Sequence, residues 1–358
     1  MKIGIIGAGH AGLALGALLL RSGKHEVRIY SAPRHSAKLS AIMNGGGHMR
    51  FVDQPNSETM ILRLTKDQIV SSILEIIEFS EAIYNTTPVT AHDQIFHELL
   101  ADPNSRLRYL TYINLGGGFS FFAHQVSQRA KGSAVNIGTL HTLPYASRVD
   151  GSQVTILNYR KTTEISFSSG RDKEQIAILS SIISGSLELD ADALHMSLDR
   201  SSYVMHPIIT IFNIKKIVSG EHFHFYSDGF CQPIQDLHLQ AHHERQALAR
   251  ALGYTDYPSP ETRLQSFMKA YGSDFSTIKG PSSPQHRYLM EDIPYGLVPI
   301  VDLGRALGIE MPVCRSIVDL GSAIAKTNLW ASPYRLHENC PLRDEFLRER
   351  DIVSGMRV

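Results

Sequence analysis

The first thirty residues alternate between apolar runs and short polar breaks in the order strand, helix, strand. An apolar run over residues 2–7 ends in glycine, which is typical of a buried parallel strand. Densely packed apolar residues over 11–21 predict a helix that ends at Ser22 and Gly23. Residues 26–31 predict the second strand, so this segment predicts one complete βαβ unit.

Two later segments repeat the pattern of a strand followed by a turn rich in proline or glycine. Residues 82–87 precede Pro88, and residues 109–114 precede the glycines at 116–118. Strands followed by such turns, in repetition, are typical of a doubly wound α/β sheet. We therefore predict an N-terminal NAD(P)-binding Rossmann domain, with a doubly wound parallel sheet, over residues 1–185.

Beyond this domain the apolar positions recur at helical spacing. Residues 187–220 predict one long helix that is interrupted at Pro207. Apolar positions within 237–252 and within 313–324 mark one face of each of two further helices. We therefore predict a mainly α-helical catalytic domain over residues 186–358.

Composition and charge exclude several classes of protein. The 358 residues suit two domains, and the 35 basic residues equal the 35 acidic ones, which argues against a nucleic-acid or polybasic membrane surface. Three cysteines without a CxxC pair indicate neither a disulfide framework nor a cysteine zinc site. The apolar run near the N-terminus is too short for a membrane span, and a strand at the start leaves no room for a signal peptide. We expect a cytoplasmic protein without nucleic-acid or membrane partners.

The chain has 17 histidines, which raises the question of a metal site. His222 and His224 would share one face of a strand, but no nearby residue completes a ligand set. His242 and His243 fall in a helical pattern, where neighbouring side chains diverge by about 100°. We predict no metal site, and we interpret these histidines as surface or packing residues.

The strongest local motif is GxGxxG, with glycines at Gly7, Gly9 and Gly12. It closes a predicted strand and opens a predicted helix, as a dinucleotide-binding motif requires. The glycines allow, in turn, a tight turn, the approach of a pyrophosphate and close helix packing. The helix N-terminus favours phosphate binding, so we add His10 and Ala11 to the predicted cofactor site. A flavin, another nucleotide or a fold that has lost binding are the alternatives.

The end of the second predicted strand bears on the choice between NADH and NADPH. NAD-specific sites place an acid there to bind the ribose hydroxyls, but residues 30–35 contain none. Ser31 can donate to a 2′-phosphate, and Arg34 can pair with it through its planar fork. We predict NADPH as the preferred cofactor and NADH as the second; an arginine on a solvated loop is the alternative for Arg34.

Two segments of the second domain carry the candidate chemistry. His206 lies in a helix that is apolar around it, where a histidine satisfied within the core is the simplest interpretation. A later segment, 285–299, contains Arg287 and Asp292. The VMHP around His206 and the RYxxEDxxxGLVP of the later segment both resemble the octopine/nopaline (opine) dehydrogenase family, in order and spacing. Segments 225–229 and 303–306 also match this family.

The resemblance implies that NAD(P)H drives a reductive condensation, in which the amine of an amino acid joins the carbonyl of a 2-oxo acid and the imine is reduced. It implies that His206 and Asp292 form an acid–base dyad and that Arg287 holds a substrate carboxylate. A histidine can take a proton from the amine and assist the loss of water, and a carboxylate fixes its tautomer. Ser202 stands where some members have asparagine, so we expect a substrate contact of shorter reach.

The N-terminal half resembles the family through the glycine loop, Pro88 and the turn at Asn114, which we add to the predicted cofactor site. No single residue selects the amino donor or the oxo acid, and we expect a homodimer. One alternative is a 2- or 3-hydroxyacid dehydrogenase or ketoreductase of related fold. Such enzymes typically use a lysine of the helical domain as the acid. Here Lys215 and Lys216 lie two to three turns beyond His206, which argues against this alternative. The other is a non-catalytic protein that senses dinucleotides.

Overall fold

A computed structural model of the chain describes residues 1–100, 111–115, 119, 136–167, 172–189, 193–262, 264–265, 268 and 278–335. Its N-terminal part contains two β-sheets. Their strands are β1 (Lys2–Ile6), β2 (Glu26–Tyr30), β3 (His48–Asp53), β4 (Glu58–Arg63), β5 (Ile69–Val70), β6 (Ala82–Asn85), β7 (Thr111–Leu115), β8 (Asn136–Leu140), β9 (Tyr145–Asp150), β10 (Gln153–Tyr159), β11 (Thr162–Phe167) and β12 (Ser186–Leu189).

The larger sheet has the order β12-β11-β8-β7-β6-β1-β2-β5. From β5 to β8 all neighbouring strands are parallel, whereas β11 pairs antiparallel with β8 and parallel with β12. The strand order reverses between β1 and β6, and in such sheets ligands bind beyond the carboxyl ends of the strands at this reversal. The predicted doubly wound parallel sheet is confirmed.

A second sheet, in the order β4-β3-β10-β9, packs through β9 on the first helix. Its strands β3 and β4 form an antiparallel pair, and β10 runs parallel to β3 and antiparallel to β9. The sequence analysis did not predict this sheet. In β3 the buried and exposed positions largely alternate. This period of two is the pattern from which the strand could have been predicted.

The described helices are mostly short. Those that precede residue 200 are α1 (His10–Ser22), α2 (Ala37–Asn44), α3 (Ile73–Phe79), α4 (His92–Leu100), α5 (Lys173–Ile182) and α6 (Ala193–Asp199). Those that follow are α7 (Ser202–Phe212), α8 (Ile214–Ser219), α9 (Gln232–Ala251), α10 (Arg287–Met290), α11 (Val298–Ala306) and α12 (Pro312–Ala325), with a π-helical segment at Ile293–Leu297. Within the ranges given above, no helix has the length and apolar character that would let it cross a bilayer.

The predicted long helix over residues 187–220 is wrong. Its beginning is strand β12, in which apolar and polar residues alternate beside β11, and its remainder is divided among α6, α7 and α8. Pro207 lies inside α7 and does not end it. The break falls at Asn213, whose side-chain amide donates to the carbonyl oxygens of Ile209 and Gly229. The other two predicted helices are confirmed as α9 and α12.

The chain divides into two units, Met1–Met196 and Ser197–Val358, of which the first is α/β and the second is mainly helical. This confirms the predicted fold class. The predicted boundary after residue 185 precedes β12, which belongs to the sheet of the first unit. In the second unit α7, α9 and α12 pack against one another, and α7 is buried on nearly all sides.

Candidate active site

The helical unit brings His206 and Asp292 together across 86 residues of sequence. The Nδ1 atom of His206 lies 2.7 Å from Oδ2 of Asp292, and their side chains are 18% and 6% exposed. An ionised carboxylate can only accept a hydrogen bond, so Nδ1 carries the hydrogen of the neutral ring. The lone pair of that ring is therefore on Nε2, which is the nitrogen available for acid–base chemistry.

Two close approaches hold the segment that carries Asp292. The residue stands directly before the π-helical segment Ile293–Leu297. A Cβ atom at Gly296 would overlap the ring of Tyr203 in α7, so only glycine allows this approach. On α12, a Cβ atom at Gly321 would lie 2.5 Å from Cδ1 of Ile293. Gly296 thus lets the segment lie directly against the helix that bears the histidine, and Gly321 lets it lie against α12.

Aromatic side chains surround the imidazole of His206. The hydroxyl of Tyr226 lies 2.9 Å from Nε2, and the ring of Tyr288 lies 4.2 Å from the imidazole between centroids. The ring of Phe225 is 5.9 Å from the imidazole and 4.6 Å from Tyr288. The sequence patterns assign no role to Tyr226 or Tyr288, although both stand inside the matched segments. Their contacts depend on tertiary packing, which no local pattern reports.

Arg287 begins α10, directly before Tyr288. Its Nη2 atom lies 3.1 Å from Oε1 of Glu291, and 59% of its side chain is exposed. Partial burial opposes the charged form, but the carboxylates of Glu291 and Asp292 raise the pKa of Arg287 above its ordinary value. The predicted carboxylate holder is therefore a firmly charged cation on the segment that forms one side of the dyad. Ser202 is half-buried at the start of α7, one turn before His206.

The glycine loop in the first unit has the geometry of a phosphate cradle. Gly7 has a φ of +107°, and a Cβ atom there would lie 2.7 Å from Oγ1 of Thr86. A Cβ atom at Gly12 would overlap the carbonyl oxygen of Gly7. Gly9 differs, because its φ is −80° and no protein atom lies within 4 Å of the Cβ position. Nothing within the described protein requires glycine there, which fits the close approach of a ligand.

His10 and Ala11 join the glycine loop to the smaller sheet. The Val149 N–H donates to Nδ1 of His10 at 2.8 Å. The Ser147 hydroxyl donates to the carbonyl oxygen of His10, and the Tyr145 hydroxyl donates to that of Ala11. Burial lowers the pKa of His10, which agrees with an accepting, neutral ring. These two residues can still offer backbone N–H groups from the first turn of α1 to a phosphate.

The other predicted cofactor residues lie at or beyond the carboxyl ends of neighbouring strands. Ser31 follows β2, and Arg34 is exposed in a short 3₁₀-helix. Pro88 follows β6, and the backbone of Asn114 lies in β7 beside Asn85. The glycines at 116–118, which belong to the predicted turn, lie outside the described residues. Because carboxyl ends of parallel strands share one edge, these positions lie on the edge to which the glycine loop belongs. The residues present fit a nicotinamide dinucleotide.

Metal ligation has no candidate in the described ranges, where no three histidine, cysteine, aspartate or glutamate side chains could together hold an ion. Of the two described cysteines, Cys231 is exposed and Cys314 is buried. Burial raises the pKa of the Cys314 thiol, which makes it a poor nucleophile or ligand.

A family model for the α-helical domain of NAD/NADP octopine/nopaline dehydrogenases matches residues 189–325. The match covers most of the helical unit. The chain is also 31% identical over 150 residues to an opine dehydrogenase of Arthrobacter sp. strain 1C, which covers 38% of the chain and 41% of that relative. It is 23% identical to vitopine synthase of Allorhizobium ampelinum over 94% of the chain and 98% of that relative.

Solved opine dehydrogenases are similar in fold over most of the chain. Octopine dehydrogenase with NADH and L-arginine matches 90% of the chain and 89% of its own length, with a TM-score of 0.71 and 16% identity. Yersinopine dehydrogenase with NADP⁺ matches 97% of the chain and 99% of its own length, with a TM-score of 0.75 and 14% identity. A ketopantoate reductase from Ralstonia eutropha matches 91% of the chain and 99% of its own length, with a TM-score of 0.63 and 17% identity.

Proposed function

We propose that the protein is an NAD(P)H-dependent opine dehydrogenase. It joins the amine of an amino acid to the carbonyl of a 2-oxo acid such as pyruvate, and the resulting imine is reduced. The observation that carries this proposal is the 2.7 Å contact between His206 and Asp292 in the helical domain of the family. Solved octopine dehydrogenases named for complexes with L-arginine and with pyruvate support this choice of substrates.

His206 acts on protons at two points of this reaction. An amino acid enters as an ammonium ion, and it must lose a proton before its nitrogen can attack the carbonyl. Nε2 accepts that proton, and Asp292 stabilises the imidazolium through Nδ1. The carbinolamine then loses its hydroxyl group as water, and the imidazolium supplies the proton. Because one histidine accepts and returns the same proton, no second base is required for these two steps.

Arg287 holds the carboxylate of the 2-oxo acid in this proposal. Its interaction with Glu291 uses Nη2 and leaves other N–H groups of the guanidinium available. Exposure of 59% of the side chain leaves room for an anion, and a planar fork binds a carboxylate through two hydrogen bonds. Ser202, one helical turn before His206, is the proposed further substrate contact.

The proposed cofactor site consists of the glycine loop with His10 and Ala11, together with Ser31, Arg34, Pro88 and Asn114. When bound, the reduced nicotinamide supplies the hydride. We propose a preference for NADPH, because Arg34 is exposed beyond a strand that ends without an acid. Replacement of Arg34 by alanine should weaken NADPH binding by about 1–3 kcal/mol and leave NADH binding nearly unchanged. Equal losses in fluorescence titrations of the two cofactors would remove Arg34 from the site.

The test of the reaction is a screen of NADPH and NADH oxidation with 2-oxo acids crossed with amino acids. The proposal predicts oxidation only when both substrates are present, and a secondary amine with two carboxylates as the product. Omission of the amino acid is the control. Oxidation that needs no amine would instead favour a hydroxyacid dehydrogenase, and binding of the cofactor without oxidation would favour a sensing protein.

The hydroxyacid dehydrogenase is the second candidate because ketopantoate reductase and D-mandelate dehydrogenase share the fold, with TM-scores of 0.63 and 0.58. The lysines of α8 do not support it. Lys216 places its ammonium group over the ring of Phe223, 5.3 Å from the centroid. The acid–base position next to Asp292 is occupied by His206. The cytoplasmic location and the homodimer stay predictions from the sequence.

A further inference from the structure

The hydroxyl group of Tyr226 contacts Nε2 of His206, the ring nitrogen that Asp292 does not bind. The phenol oxygen lies 2.9 Å from Nε2, while Nδ1 is bound by the carboxylate. The rings of Tyr288 and Phe225 flank the imidazole. A proton that leaves or reaches Nε2 therefore meets the oxygen of Tyr226, unless a substrate displaces the tyrosine.

The hydrogen bond between Tyr226 and His206 can reverse its direction. With a neutral ring, Nε2 has a lone pair and the phenol donates to it. With an imidazolium, Nε2–H donates to the phenol oxygen, and the phenol hydrogen then points to another acceptor. A hydroxyl group that both donates and accepts at one nitrogen can pass a proton without ionising, as a relay.

The surroundings of Tyr226 suit a substrate oxygen. The tyrosine interacts electrostatically with the guanidinium of Arg287, the proposed carboxylate holder. In a 2-oxo acid the reacting carbonyl is bonded directly to the carboxylate. A proton donor that contacts the histidine and interacts with the charge of the carboxylate-holding arginine is therefore suited to protonate the oxygen that leaves.

We propose that Tyr226 is a further catalytic residue, whose hydroxyl relays the proton between Nε2 of His206 and the oxygen of the substrate. This proposal rests on the proposed function. In the carbinolamine the nitrogen lone pair forms the C=N bond while the C–O bond breaks. The departing hydroxyl takes the phenol proton and leaves as water, and the phenol oxygen takes the proton of the imidazolium. No oxidation or reduction occurs in this step.

The experiment replaces Tyr226 by phenylalanine and compares kcat, the KM of each substrate and cofactor binding. The relay predicts that kcat falls about 10²-fold, at the lower end for a positioned acid–base group, while cofactor binding is retained. Tyr254→Phe is the matched control, because it removes the same oxygen from the tyrosine that follows α9. We expect the control to keep wild-type kcat. Thermal unfolding of both variants reports whether they fold.

A proton inventory separates a relay from a structural contact. A plot of the wild-type rate against the fraction of D₂O in the solvent should curve downward, since two protons move together. The same plot for Tyr226→Phe should be linear. If the variant fails to fold, 3-fluorotyrosine at position 226 replaces it, since fluorine lowers the phenol pKa with little change in size. A relay then predicts a shifted pH profile of kcat.

The inference and the proposed function fail in different ways. All measurements use whichever reduction the wild type performs. A wild type that makes hydroxy acids instead of secondary amines contradicts the proposed function, and the relay is then tested at the ketone oxygen. Wild-type kcat in Tyr226→Phe, or an unshifted pH profile with fluorotyrosine, overturns the relay and leaves Tyr226 as a cap on Nε2.

Discussion

Two clusters in the helical unit combine histidine with arginine, and their surroundings are opposite. The first is the dyad cluster of His206, Asp292 and Arg287. His206 is 18% exposed and forms a hydrogen bond with the carboxylate of Asp292. Arg287 is 59% exposed and forms an ion pair with Glu291. Each of the two side chains thus has a carboxylate partner and is partly open to solvent.

The second cluster, the buried cluster, consists of His238, His242 and Arg245 in α9. These residues are 1%, 1% and 0% exposed. Nη1 of Arg245 lies 3.4 Å from Nδ1 of His242, while its Nε and Nη2 atoms have no hydrogen-bond partner among the described residues. Burial, followed by the charge of Arg245, lowers the pKa of His238 to about 3. Burial also lowers the pKa of His242 well below its ordinary value.

The difference shows that residue type and helical position do not decide what a histidine does. Both clusters place histidines in helices among apolar neighbours. A carboxylate partner and an opening to solvent allow a histidine to exchange protons, whereas burial beside a cation keeps it neutral. We therefore propose catalysis for the dyad cluster and a role in packing and stability for the buried cluster.

The largest expected effect follows removal of the dyad histidine. His206→Ala should lower kcat by about 10²–10⁴-fold with cofactor affinity retained, because a positioned acid–base group is lost. His242→Gln is the matched control in the buried cluster, and we expect it to keep kcat near wild type. Steady-state kinetics below the unfolding temperature of both variants make the comparison. Equal losses of kcat would contradict the division between the clusters.

A smaller loss is expected when only the partner of the histidine changes. Asp292→Asn keeps the shape of the side chain, but an amide can hold the ring in the wrong tautomer and does not stabilise the imidazolium. We expect kcat to fall by about 10²-fold. A rate that stays at the wild-type level, measured where chemistry limits turnover, would show that the 2.7 Å contact is structural.

The glycine loop and the dyad differ in how far the sequence could predict them. Gly7, Gly9 and Gly12 form a local motif, so their spacing alone indicates the turn. His206 and Asp292 are 86 residues apart, and only the resemblance to a family linked them. Tyr226 was missed, because its position depends on how a turn packs against α7. The smaller sheet was missed because its strands come from two separate parts of the sequence, 48–63 and 145–159.

The arginines of the two clusters should respond differently to substitution. Arg287→Lys keeps the charge but loses the fork, so we expect the KM of the 2-oxo acid to rise and kcat/KM to fall about tenfold, at the weaker end for hydrogen bonds to a charged group. Arg245→Met removes a buried charge that has no carboxylate partner among the described residues, and we expect unchanged kinetics with equal or higher thermal stability. If Arg287→Lys lowers stability and leaves KM unchanged, Arg287 belongs to the scaffold.

The last expected effect concerns stability against pH. His238 has a folded-state pKa of about 3, which lies below the unfolded value of about 6.5, so the unfolded state binds more protons as the pH falls. Its contribution is fully present above pH 6.5 and is progressively lost below it, by about 2 kcal/mol between pH 7 and pH 5. Urea denaturation across this range measures the slope, and His238→Gln should reduce it. An unchanged slope would show that His238 is not held neutral.

The central claim is that the dyad cluster supports reductive condensation, and transfer of an isotope label tests it most directly. Deuterium-labelled NADPH is incubated with the wild-type protein, a 2-oxo acid and an amino acid, and the products are analysed by mass spectrometry. We predict a secondary amine with one deuterium on the former carbonyl carbon, which His206→Ala does not form at a comparable rate. Deuterium in a hydroxy acid, in a reaction that proceeds equally well without the amino acid, would contradict the claim.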